Sequence, residues 1–367
     1  MGLRAAVTSW ALARPRVLVV DSPEARALRW AAEAELDRRG WSAALSPADA
    51  DVLLVLGEPG PGLAAAVDLL WSQLPAPRLR VQARTPAALA ESLADAAARL
   101  AASGADPAPD DPWQAAPRPD VHDGTDGMDG MDGMDGMDGM DHGEHMDHGE
   151  HGDHGGHGDH GGGDVAGLAM AQTAPDRDGL QLDSLAVTIG PWLPGWPTGL
   201  VVHGRLQGDV LTEPHVTWVD PDAAPPPPAS PQVVAADVLS RLLLVAGWPL
   251  AARQARRTRA DLVAGTAGAG ANAERLARRV TGSRVLTWSL RGVGHDEQGR
   301  DAVDRVRQWA GSLTGDGDPP PPASPQAVAA MTDGAELAAV RLAVATLDAS
   351  PATTPAGSHP PDEHGHG

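Results

Sequence analysis

The sequence contains no cysteine, no phenylalanine and no tyrosine among its 367 residues. The absence of cysteine excludes disulfides, thiolate metal sites, cysteine nucleophiles and cysteine-ligated iron–sulfur clusters. Because phenylalanine and tyrosine are also absent, apolar burial must come from leucine, valine, alanine and the 11 tryptophans. We therefore predict that the tryptophans fill cores and interfaces, since nothing else supplies a large aromatic surface.

Long apolar runs are absent too. No stretch of 18 or more apolar residues occurs, so the sequence predicts no membrane-spanning helix. The N-terminus has a short apolar run, but Arg14 and Arg16 interrupt it and it continues directly into a strand-like VLVV. We therefore expect a cytoplasmic protein without a signal peptide.

Negative charge is concentrated in one segment. The net charge is -21, and the 14 acidic residues between Asp120 and Asp164, where no Lys or Arg occurs, leave -7 for the remainder. This balance argues against nonspecific nucleic-acid binding, which requires a basic surface. Residues 253–284, by contrast, hold eight arginines against two acidic residues, a local charge of +6. This basic window is interpreted either as solvated helix faces or as a surface for the acidic segment or an acidic partner.

Strand and helix signals alternate over residues 1–104, which we assign to an α/β domain with a mostly parallel sheet. Strands are predicted at RVLVVD (Arg16–Asp21), at DVLLVLG (Asp51–Gly57), at RLRVQA and, more weakly, at WSAAL. A helix follows each of the three stronger strands. Ser22 is predicted to cap the first helix and Thr85 the third, each with a proline after it.

The remainder of the chain divides by composition and periodicity. Residues 105–164 are assigned to a disordered acidic linker rich in His, Asp, Gly and Met. Alternating apolar and polar residues over 165–222 predict an antiparallel β-meander, and 223–349 are predicted to be helical, so the C-terminal region is α+β. The helical part contains PPPPASPQ twice, in which polyproline is a stiff spacer and Ser-Pro begins a helix. Residues 350–367 are assigned to a disordered tail.

Two segments, about 100 residues together, resemble subunits of respiratory complex I, the NADH-quinone oxidoreductase. DVLLVLGEPGPGLAAAVDLLWSQLPAPRLRVQAR, within about residues 16–85, resembles the 20 kDa-type small subunit, which is related to the small subunit of nickel–iron hydrogenases. LAVTIGPWLPGWPTGLVVHGRLQGDVL, within about residues 183–262, resembles the start of the 49 kDa-type large subunit. The resemblance implies a shared fold and a protein partner in a respiratory or hydrogenase-like complex.

The sequence departs from that family at the positions that carry chemistry. QARTP (Gln82–Pro86) stands where the small subunit places a cysteine ligand, and Leu193 and Thr198 correspond to the histidines that the large subunit presents to quinone. No tyrosine is present to contact a quinone. We therefore expect a non-catalytic accessory or binding protein. A nickel, copper or zinc buffer or metallochaperone is one alternative, and an oxidoreductase subunit that depends on a partner for its redox centre is another.

The low-complexity tract carries the candidate metal ligands, spaced by three residues. Imidazole with carboxylate suits nickel, zinc or Cu(II), whereas thioethers suit Cu(I), so the metal stays open. A flexible chain without cysteine predicts weak, exchangeable sites that favour buffering over catalysis. The competing interpretation is a solvated spacer whose ligands are incidental. The candidate ligands are His142, His145, His148, His151, His154, His157, His160, Met128, Met131, Met134, Met137, Met140 and Met146.

Other candidate sites are weaker. EPGPG (Glu58–Gly62) follows a strand and precedes a helix, where anions bind to backbone amides, although its two prolines remove donors. GTAGAGAN (Gly265–Asn272) is predicted to be a helix break rather than a phosphate loop, because the GxGxxG spacing and a following lysine are missing. His203 and His215 are predicted to lie on the polar face of strands.

Overall fold

The computed structural model describes residues 14–103, 172–175 and 181–351. The region before the low-complexity tract and the region after it belong to one compact unit. The tract itself, predicted to be a disordered linker, lies outside the described residues, and so does the chain after residue 351.

The N-terminal region is an α/β structure with a parallel sheet, as predicted. Its four strands lie in the order β2-β1-β3-β4. The strands are β1 (Arg16–Asp21), β2 (Ser42–Ala43), β3 (Val52–Leu56) and β4 (Leu79–Ala83). The helices are α1 (Arg26–Arg39), α2 (Pro61–Gln73) and α3 (Pro86–Ser103).

Both faces of this sheet are covered, which explains why β3 is apolar throughout. All five residues of β3 are buried, as expected for a central parallel strand between helical layers. Val52, Leu54 and Leu56 pack with α1 and α3 on one face. Leu53 and Val55 pack with α2 on the other face.

Ser22 lies at the predicted N-cap position with Pro23 after it, but it begins a turn of 3-10 helix and accepts no cap hydrogen bond, whereas the cap at Thr85 is confirmed. The Ser22 amide donates to the Leu56 carbonyl oxygen (2.9 Å) and thereby continues the strand pairing, while its hydroxyl lies beside the Glu24 carboxylate. A single turn of 3-10 helix, Pro23–Ala25, then separates Ser22 from the start of α1. The Thr85 hydroxyl accepts a hydrogen bond from the Ala88 amide at 3.2 Å, at the start of α3.

The C-terminal region combines an antiparallel sheet with helices, as predicted. The strands β5 (Gln172–Pro175), β6 (Gln181–Ile189), β7 (Leu200–Gln207), β8 (Val210–Trp218) and β9 (Ala335–Glu336) are adjacent in chain order. Pairing is antiparallel from β6 to β9, so the predicted meander is present.

Helices enclose a second core. They are α4 (Pro231–Val245), α5 (Pro249–Ala264), α6 (Ala269–Thr281), α7 (Arg284–Leu290), α8 (Ala302–Thr314), α9 (Pro325–Thr332) and α10 (Leu337–Ala345). The two Ser-Pro starts are confirmed, because Ser230 accepts from the Val233 amide and Ser324 from the Ala327 amide. Among the described residues, no helix has both the length and the apolar character needed to cross a bilayer.

Candidate functional site

A cleft of about 150 Å³ opens where the C-terminal end of β1 and helix α1 meet the loop 190–199 and helix α4. The loop belongs to the segment that resembles the large subunit, and β1 to the segment that resembles the small subunit. The N-terminal and the C-terminal region therefore both line the cleft. The apolar part of the lining includes Trp41, Trp192, Leu193, Trp196, Pro197 and Leu244.

Tryptophan side chains hold the loop in place. The Trp192 indole donates to the Val19 carbonyl oxygen at 2.7 Å, which ties the loop to β1. The Trp196 indole donates to the Leu200 carbonyl oxygen at 2.8 Å, which closes the loop on itself. Gly195 has φ +76°, and a Cβ there would lie 2.4 Å from Val245 Cγ2, so only glycine allows the loop to approach α4 this closely.

Buried charges form the floor of the cleft. We call them the charge cluster, and they come from β1, α1, α4 and α5. Three carboxylates face three guanidiniums, so the formal charges balance. Buried charges are tolerated when they are paired in this way. The cluster consists of Asp21, Arg29, Glu33, Asp237, Arg241 and Arg259.

Asp237 is the centre of the charge cluster. Arg29 donates to both of its oxygens at 3.2 and 2.8 Å, and Arg259 donates at 2.6 Å. Arg241 lies 3.7 Å away on the next turn of α4. Burial acts to raise the pKa of Asp237, but the attraction of these guanidiniums outweighs it and holds the pKa well below the usual range.

Asp21 shares Arg29 with Asp237, but its pKa is shifted in the opposite direction. Arg29 Nε donates to one Asp21 oxygen at 3.1 Å, and the Thr198 hydroxyl donates to the other at 2.9 Å. Burial dominates at this position and raises the pKa of Asp21 above its ordinary value, although Arg29 and Thr198 oppose the shift. The cleft therefore has a carboxyl group that protonates more readily than a solvated aspartate.

Further ion pairs join helix α1 to the C-terminal region. Arg26 pairs with Asp348 at 2.9 Å, and Arg253 and Arg256 each lie 3.3 Å from Asp37. Together with Arg259 in the charge cluster, three arginines of the basic window therefore face carboxylates of α1. For Arg256 and Arg259, whose side chains are mostly buried, the interpretation as solvated helix faces is wrong, whereas Arg253 is exposed.

The start of helix α2 already holds an anion from the chain itself. The Asp220 carboxylate accepts hydrogen bonds from the amides of Gly62 (2.8 Å) and Leu63 (3.0 Å). These amides are the donors that an anion would use at a helix N-terminus. The EPGPG loop is thus a contact between the two regions, because Asp220 follows β8.

The predicted metal ligands, from Met128 to His160, lie outside the described residues. Within the described part of the chain, no three His, Asp or Glu side chains are grouped so as to hold a metal ion. His203 and His215 are exposed and face each other across β7 and β8, as expected for the polar face of strands. The His203 ring nitrogen Nδ1 lies 3.1 Å from the Thr188 hydroxyl.

The charge cluster was not predicted from the sequence, although one local signal is present in it. Asp237 and Arg241 lie four residues apart inside VVAADVLSRLLLV, an otherwise apolar helix. An ionic pair in such a context indicates buried charges that need further partners. Arg29 and Glu33 show the same spacing in α1, where the surrounding charges make it look like an ordinary surface pair.

Leu193 and Thr198, which the predicted resemblance aligns with quinone-facing histidines, both line the cleft. Gln82, in the segment that the same prediction aligns with a cysteine ligand, donates its side-chain amide to the Gly57 carbonyl oxygen at 3.0 Å. Comparisons of the chain with protein-family models, with curated proteins and with solved structures found no match. The resemblance to the two respiratory subunits therefore stays a prediction.

Proposed function

We propose that this chain is a non-catalytic binding protein, built from pieces that resemble the small and large subunits of NADH-quinone oxidoreductase. Its cleft would hold the ring-sized head of a small amphipathic molecule. The observation that carries the proposal is the cleft itself, which both regions line and in which apolar walls meet buried charges. Pockets of this composition are the usual sites for small organic ligands.

The size of the cleft limits what it holds. An apolar cavity of about 150 Å³ accepts a molecule as large as benzene. The cleft has about the same volume, so it accommodates one ring rather than a nucleotide or a large cofactor. The rest of an amphipathic ligand would extend from the opening, past Leu45 and Ala43.

The polar groups favour a ligand that accepts hydrogen bonds. Arg26 and Arg241 line the cleft, and among the described residues the Nε atom of each is buried without a hydrogen-bond acceptor. A ring carbonyl oxygen is a suitable acceptor for such a donor. Every carboxylate of the charge cluster is paired with arginine, and among the described residues no histidine lines the cleft, which supports binding rather than acid–base or nucleophilic catalysis.

Native mass spectrometry of the untagged full chain tests this proposal. We expect an organic molecule bound in a one-to-one ratio, or one-to-one uptake of a short-chain benzoquinone as a ring-carbonyl probe. The variant Ala43→Trp places a large side chain at the cleft opening and should abolish occupancy. Ala65→Trp, at an exposed alanine of α2 outside the cleft lining, is the matched control. Equal occupancy in both variants would contradict the proposal, and so would the absence of any bound organic molecule or probe in the wild type.

Metal buffering is the second candidate function, and the three-residue spacing of histidine and methionine supports it. A chain lacking residues 126–162 should lose binding of Ni²⁺, Zn²⁺ and Cu²⁺ while it retains occupancy of the cleft. The same mass spectra would also detect a co-purifying protein partner, which the resemblance to respiratory and hydrogenase-like subunits implies. Retention of all metal binding by the deleted chain would exclude the tract as the buffer.

A further inference from the structure

Helix α7 exposes apolar side chains that do not belong to any core. Val285 is 74% exposed and Trp288 is 78% exposed. They are three positions apart, so they lie on one side of this short helix. Leu286 and Leu290 face the protein and are buried. The helix is therefore anchored on one side and presents an indole and a branched aliphatic side chain to solvent on the other.

Arginines surround these exposed side chains. Between residues 278 and 291 the chain has four arginines, all exposed, and no acidic residue. Arg284 and Arg291 lie at the two ends of α7, and among the described residues neither has an ion-pair or hydrogen-bond partner for its guanidinium. These two arginines and Trp288 line a shallow depression of about 190 Å³, together with the hydroxyl-bearing side chains of residues 281, 283 and 287.

The same end of the helical region has a further exposed apolar residue. The Arg279 guanidinium lies 5.0 Å from the centre of the Trp248 ring and donates to Gln254 at 2.8 Å. These contacts place the end of α6 beside the start of α5, where Leu250 is 69% exposed. We define the α7 surface as the exposed residues Leu250, Arg278, Arg279, Arg284, Val285, Trp288 and Arg291.

We propose that the α7 surface docks on an anionic phospholipid bilayer, with Trp288 and Val285 in the headgroup layer and Arg284 and Arg291 on lipid phosphates. Tryptophan beside arginine is the pattern of side chains that lie at a membrane interface. Guanidinium groups bind phosphate through paired hydrogen bonds. A soluble phosphate compound would satisfy the arginines but would leave Val285 and Trp288 in water, so the bilayer explains both halves of the surface.

The acidic character of the whole chain does not oppose this contact strongly. Of the net charge of -21, the segment Asp120–Asp164 carries 14 negative charges, whereas residues 278–291 carry only positive ones. At physiological ionic strength, electrostatic interactions between exposed charges decay over about 8 Å. The local charge of the α7 surface therefore decides its attraction to a bilayer.

Vesicle co-sedimentation with the full chain tests the proposal. We expect binding to vesicles of phosphatidylcholine with one-third phosphatidylglycerol, weaker binding at high salt, and little binding to phosphatidylcholine alone. Arg284→Gln and Arg291→Gln should each lower the partition coefficient about fivefold, since one arginine near an anionic bilayer contributes about 1 kcal/mol. Trp288→Ser should lower it further and remove the change in tryptophan emission that the vesicles cause.

Matched variants distinguish binding through the α7 surface from a general effect of losing an exposed arginine or an exposed apolar side chain. Arg257→Gln removes another exposed arginine of the basic window, and Leu69→Ser removes a 60% exposed leucine of α2. Both should bind vesicles as the wild type does. All five positions are exposed, so the variants should fold, and circular dichroism checks this.

Three outcomes would overturn the proposal. The first is wild-type protein that does not bind the anionic vesicles. The second is binding that the Arg284, Arg291 and Trp288 variants retain in full. The third is complete displacement by millimolar glycerol phosphate or by polyglutamate, which would identify a free phosphate compound or an acidic protein as the ligand instead.

Discussion

Replacing Asp237 with asparagine removes one negative charge from the centre of the charge cluster and changes the side-chain volume little. Asp237 is 2% exposed and accepts hydrogen bonds from Arg29 and Arg259. After the substitution, three guanidiniums face only two carboxylates, so one positive charge remains buried without compensation. Removing one partner of a buried ion pair costs about 3–5 kcal/mol. We expect the free energy of unfolding to fall by this amount.

Urea unfolding measures this loss. With a slope near 3 kcal/mol per molar urea, the upper part of the usual range, the midpoint should fall by about 1 M or more. Glu274→Gln is the matched control, because it breaks the exposed pair with Arg278, and such pairs contribute at most about 0.5 kcal/mol. If Asp237→Asn costs no more than Glu274→Gln, the buried positive charge left by the substitution carries no penalty, and our reasoning is refuted.

The pH dependence supplies a second test of the same reasoning. The pKa of Asp237 is lowered in the folded protein, so its contribution to stability is complete above the unfolded-state pKa, which is about 3.9. The contribution is lost as the pH falls from there towards the folded-state pKa. The difference in stability between the wild type and Asp237→Asn should therefore be constant from pH 5 to 7 and should shrink below about pH 4.

The remaining predictions concern single contacts. Burial raises the pKa of Asp21, so the stability that its ionised form contributes falls as the pH rises through that pKa; at pH 7 Asp21→Asn should therefore lower the urea midpoint less than Asp237→Asn does. Gly195→Ala, at a positive φ with a 2.4 Å contact to Val245, should cost about 1–3 kcal/mol in the same assay. Asp220→Ala removes the carboxylate from the start of α2 and should cost about 0.5–2 kcal/mol, whereas the exposed Asp222→Ala should cost almost nothing.

Elements whose signals are local could be predicted from the sequence. The run VLLVL predicted a buried strand, because the hydrophobic pattern and the residue types that indicate a strand lie within the run itself. The two Ser-Pro helix starts were predictable for the same reason, since a cap joins residues three positions apart. Ser22 shows the limit of this reasoning, because its hydroxyl donates to Glu24 and to the Leu56 carbonyl oxygen, 34 residues away, and accepts no cap hydrogen bond.

The candidate site was not predictable in this way. Arg259 in the basic window had a surface interpretation from sequence, yet it is buried against Asp237 and Glu33. The Arg29 pair with Asp237 spans 208 residues, and the Arg259 pair with Glu33 spans 226. Periodicity does not indicate which charged residues from two distant helices will meet.

The sequence alone determined what this chain lacks: without a thiol or phenol group it has no cysteine ligand for an iron–sulfur cluster and no tyrosine for a quinone. It also determined the alternation of strands and helices, because local spacing specifies which face of each element is apolar. Only the tertiary structure decided that helix α1 packs against α5 and forms ion pairs with α4, and that a cleft forms beside the loop 190–199. The physical reason is that packing brings together residues that are far apart in the chain. A charged side chain is tolerated in the buried site only when such a residue supplies the opposite charge.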